Sequence, residues 1–117
     1  MATPATVPIR ISADGQVIKA DQVAKVKKSN KDNVRWVAQD DGGPWIINFN
    51  KGGIAGATHP VVPNASPFSQ PLYEVPKGMS VETKGGPVNG NPLKTYRYTV
   101  TDKVTGIVTH DPDIDVE

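Results

Sequence analysis

Eleven prolines and eleven glycines punctuate this chain of 117 residues, and no other feature narrows its fold as far. Proline removes a backbone donor and fixes φ, while glycine weakens the interior of either regular element. Punctuation this dense favours short strands joined by turns. The apolar residues agree: Val7, Ile9 and Ile11 alternate with Pro8, Arg10 and Ser12, the two-residue period of a half-buried strand. Asp14 and Gly15 then predict a hairpin turn that returns Gln16 to Ala20 antiparallel to the first strand. Gln22 to Lys28 predicts a further strand ending in a turn, with a short helix as the competing reading.

Val34, Trp36 and Ala38 alternate with Arg35 and Val37, and the run from Asp40 to Pro44 separates them from Trp45 to Phe49, so two central strands are predicted. From Lys51 to Pro76 the pattern disappears. That stretch is longer than ordinary connections and is expected to be a functional or mobile loop, with a short helix near Ala65 to Ser69. Met79, Val81 and Thr83 suggest a brief strand. Lys94 to Thr101 is the clearest strand, with Tyr96, Tyr98 and Val100 on one face and Arg97, Thr99 and Thr101 on the other. Beyond Gly106, Ile114 and Val116 point one way and Asp113, Asp115 and Glu117 the other, as in an edge or paired strand. Seven or eight short strands with almost no helix predict an all-β antiparallel sandwich. It would span residues 7–117 as a single domain behind a tail of residues 1–6.

Hydrophobic residues make up 37% of the chain and charged ones 21%, and there is no cysteine. Disulfides, thiolate metal sites and cysteine nucleophiles are therefore excluded. A formal charge of +1 gives no global field for nucleic acid or an anionic membrane. No apolar run approaches the roughly 20 residues that span a bilayer as a helix. The partners expected are another protein or a second copy through an exposed strand edge, with no nucleic acid and no membrane. The compartment is cytoplasmic if Met1 is the native start. It is periplasmic or secreted if a signal peptide has been removed, as the small-residue run from Ala2 to Pro8 suggests.

The order of these residues resembles the cupredoxin superfamily, a Greek-key β-sandwich whose copper site lies between two loops at one end. In that family a central strand follows a Pro-His pair, and the last two strands flank a loop carrying Cys, His and usually Met. Here Pro44 is followed by Trp45 where the first His would sit, and Ile46, Ile47, Asn48 and Phe49 match the strand after it. Tyr96 and Tyr98 match the aromatic residues before the family's Cys, Val100 falls at or near that Cys, and Lys103, Val104 and Thr105 supply no His. Without an imidazole and a thiolate the trigonal site of blue copper cannot form. A looser likeness is to a copper-free bacterial branch of mostly uncharacterised cupredoxin-like proteins. It rests on Ser66, Pro67 and Phe68, then Tyr96 and Tyr98, then Asp111 and Pro112.

The resemblance implies a non-catalytic binding or structural module without cofactor, and a working surface at the loop end formed by Trp45, the segment His59 to Tyr73 with Phe68, and the turn before His110. Trp45 would either cap the vestigial pocket or show an aromatic face to a partner, and burial favours the cap. The alternative is a metal-binding protein with unconventional ligands drawn from His59, His110, Asp111, Asp113 and Met79. Against a calcium site, the terminal acids also read as a solvated edge that discourages strand pairing. Lys25, Lys27, Lys28, Lys31 and Arg35 read as a strand edge guarded by cations, with Trp36 in the core. No catalytic residue is assigned: Ser12, Ser29, Ser66, Ser69 and Ser80 lack a Gly-x-Ser-x-Gly setting, and neither His sits in a triad motif.

Overall fold

The computed structural model describes residues 5–14, 17–20, 23–38, 43–49, 60, 62, 65–106, 108 and 113–117. They are all-β. The strands are β1 (Thr6–Asp14), β2 (Val17–Ala20), β3 (Val23–Val26), β4 (Asn33–Ala38), β5 (Trp45–Asn48), β6 (Leu72–Val75), β7 (Ser80–Glu82), β8 (Lys94–Arg97), β9 (Thr99–Asp102) and β10 (Asp113–Val116). One sheet runs in the order β2-β1-β4-β7, a second β3-β10-β8 and a third β6-β5-β9. The hairpin across Asp14 and Val17 is as expected, and β4 and β5 are central in their sheets.

Two expectations need correction. The pairing is not purely antiparallel, because β1 runs parallel to β4, with Ile9 opposite Trp36, and β10 runs parallel to β3, with Ile114 opposite Ala24. Side-chain alternation reports which face is buried and is silent on strand direction. The strand predicted from Lys94 to Thr101 is interrupted at Tyr98, so that β8 pairs with β10 while β9 pairs with β5. One stretch of chain thus serves two sheets.

The Pro-rich middle is also more regular than expected. Leu72, Tyr73, Glu74 and Val75 form β6, its burial alternating exposed and buried, between Pro71 and Pro76. Residues 67–69 form bends, and residues 65–69 contain no helix. There the Phe68 N–H donates to Ser66 Oγ at 3.1 Å, a local side-chain bond that competes with helical pairing.

The core is aromatic at its centre. Trp36, on β4, is fully buried and meets Tyr73 of β6 at a centroid separation of 5.1 Å, Tyr98 at 5.8 Å and Phe49 at 6.2 Å. Phe49 in turn touches Tyr98 and Phe68. Rings from one sheet therefore pack on rings carried by the others, which is how two half-apolar surfaces exclude water. Gly86 has φ of 73°, and an added Cβ would lie 2.6 Å from Lys31 Cα. No larger residue fits without moving the backbone.

Candidate functional site

Trp45 opens β5, stands opposite Val75 and Asp102, and is fully buried. Val100, two positions along the neighbouring strand and opposite Ile47, is buried on the same inner face. Phe68 and Tyr73, expected at an interaction surface, instead lie in the core at 1% and 7% exposure, and Trp45 at 0% is buried, as the favoured cap reading has it. The physical reason is ring packing: Phe68 is held by Phe49 and Tyr73 by Trp36. His59, His110 and Asp111 fall outside the described residues.

Asp113 does not behave as a free ligand. Arg97 donates from Nε to its Oδ1 at 2.6 Å and from Nη2 to its Oδ2 at 3.0 Å, a bidentate pair with both side chains buried. Next to it Asp115, with no exposed surface, accepts from Thr95 Oγ1 at 2.6 Å. The solvated acidic edge is thereby corrected: β10 lies between β3 and β8, and all four of its residues are buried. Among the described residues no group of three His, Cys, Asp or Glu is placed to hold a metal ion.

At the other margin of that sheet β3 is an edge strand, and Lys25 and Lys27 are exposed along it. Asp32 organises the turn that follows. It accepts from the Ala5 N–H at 2.9 Å, the Lys27 N–H at 3.0 Å and Asn30 Nδ2 at 2.6 Å. Burial by itself would raise its pKa, but these hydrogen bonds and the charge of Lys27 outweigh it and hold the carboxyl below its ordinary 3.8. A depressed carboxylate pKa stabilises the fold above the ordinary value, and the contribution is lost as the pH falls through the lower folded value. Asp32→Ala should therefore cost about 2 kcal/mol at neutral pH. In urea titrations the gap from the parent should close as the pH drops below 3.8, and a gap constant with pH would refute this account.

A second margin, at β6 and β7, is built differently. Strand β6 is an edge of one sheet and β7 an edge of another, and between them lies a cleft of about 500 Å³ lined by Ser69, Gln70, Leu72 to Glu74 and Val81 to Lys84. Burial pushes the Tyr73 hydroxyl pKa above its ordinary value. Arg35 donates to Glu82 Oε1 at 2.7 Å and Lys103 Nζ to Glu74 Oε1 at 3.1 Å. All four side chains are well exposed, so these pairs contribute little stability and leave the glutamates exchangeable. The cleft lies between two consecutive strands that join different sheets, and a local pattern does not say which sheet a strand will join, so sequence reasoning missed it. The available signal was Tyr73 and Val75 flanking Glu74 between Pro71 and Pro76, a short half-buried strand pattern. No family model, curated protein or solved structure matches the chain.

Proposed function

We propose that this chain is a cupredoxin-like Greek-key β-sandwich acting as a non-catalytic binding or structural module that carries no type 1 copper site. The observation that carries the reading is the burial of Trp45 and Val100 on one inner face, at the positions where the resemblance would put the first imidazole and the thiolate. Apolar groups there contribute to packing and offer no donor to a soft metal. The chain has no cysteine with which to replace the missing ligand. In favour of the topology, the first and last strands each pair in parallel with a strand distant in sequence. The chain also passes repeatedly between sheets, as β4 to β5 and β6 to β7 do.

Elemental analysis after dialysis, followed by copper titration, tests this. The expected result is no stoichiometric metal and no thiolate-to-copper absorption. Metal retained through dialysis and lost on replacing His110 would overturn the reading in favour of unconventional ligands, among which Met79 is 60% exposed.

A further inference from the structure

We infer that the cleft between β6 and β7 binds an extended peptide segment of another protein, which pairs with β6 as an added strand. The inference rests on the reading of the chain as a binding module and names its partner class. Backbone geometry is the first argument. In an antiparallel pair the residues alternate between bonding their partner and facing away from it. The Phe49 N–H donates to the Pro71 carbonyl, which fixes Ile47 with Tyr73 and Trp45 with Val75 as bonded pairs in the observed register. The backbone groups of Leu72 and Glu74 therefore face away from β5. On β7 the Thr83 N–H donates to Val34 and the Ala38 N–H to Met79, which turns Ser80 and Glu82 outward in the same way. Each wall presents a donor and an acceptor at every second residue, a repeat of about 7 Å that another extended backbone complements.

The second argument is that this margin lacks the lysines that guard β3. Lys25 and Lys27 stand exposed on the β3 edge, a common means of blunting strand addition. Strands β6 and β7 contain neither lysine nor proline. Apolar contact is available from Leu72 and from half-buried Val81. Glu74 and Glu82 line the cleft in exposed ion pairs with Lys103 and Arg35, which a basic side chain can exchange into at little cost, so the segment that fits best alternates apolar and basic side chains. The concavity favours a peptide over a second copy of the chain, since a twofold dimer would set cleft against cleft and leave both unfilled.

A blocked peptide of about seven residues alternating valine and lysine, titrated into isotope-labelled protein and followed by amide NMR, tests the proposal. Saturable shifts are expected at Leu72, Glu74, Ser80 and Glu82, with amide exchange slowed at Leu72 and Glu74. N-methylating the peptide amides that face β6 should weaken binding roughly tenfold or more, as should Leu72→Lys or Val81→Lys, while methylating the alternate amides should not. Equal binding by the two methylated peptides, absence of saturable shifts, or shifts that follow protein concentration alone and so report a dimer would each overturn it. None of these outcomes bears on metal content, so failure of the cleft is distinguishable from failure of the module reading.

Discussion

Arg97→Ala should destabilise this protein by about 3–5 kcal/mol, because it leaves the Asp113 carboxylate buried without its counter-ion. The two side chains are only 7% and 9% exposed and share two hydrogen bonds. Asp113 sits on a central strand where no movement short of unpairing β10 returns it to water. Small domains have about 5–15 kcal/mol of stability in total, so much of the fold's margin would go. Denaturant unfolding measures the loss. The informative control is the double substitution Arg97→Leu with Asp113→Leu, which removes both charges and should recover a large part of the deficit. If the single and double variants are equally unstable, the pair's role is packing and not charge compensation.

Trp36→Ala should cost a comparable amount, about 3–5 kcal/mol, by removing the largest ring at the centre of the core. Trp36 is fully buried and touches Tyr73, Tyr98 and Phe49, so the void would open where sheets are joined and collapse would have to move several strands. Trp36→Phe keeps an aromatic body in contact and should lose less than half as much. Thermal unfolding ranks the variants, and near-ultraviolet circular dichroism should fade in Trp36→Ala before the strand signal does. A loss below about 1 kcal/mol would mean the site repacks freely, contrary to the density of native interiors.

These two residues also mark the limits of reading the chain. Trp36 was legible, because its alternation with Val34 and Ala38 is a local pattern that survives into β4, whose burial alternates likewise. Arg97 and Asp113 were not. Both fall on faces that alternation assigns away from the core, and a charged residue there is ordinarily wet. What makes that face dry is the position of β10 between β3 and β8, a fact about neighbours far away in the chain. Trp45 was half legible: its burial followed from the cost of leaving an indole in water, whereas the interaction surface built around it with Phe68 and Tyr73 did not survive, because those rings pack on Phe49 and Trp36.

The sequence by itself determined the all-β character, most strand positions, the first hairpin and the exclusion of a thiolate site. Each of these depends on residue type or on spacing along one short segment. Only the tertiary structure decided that β1 pairs in parallel with β4 and β10 with β3, that Asp113 and Asp115 are buried, and that β6 and β7 leave a cleft between two sheet margins. Backbone hydrogen bonds are chemically identical for every partner strand, so nothing in a local pattern says which strand will be chosen, in which direction, or which edge will be left open.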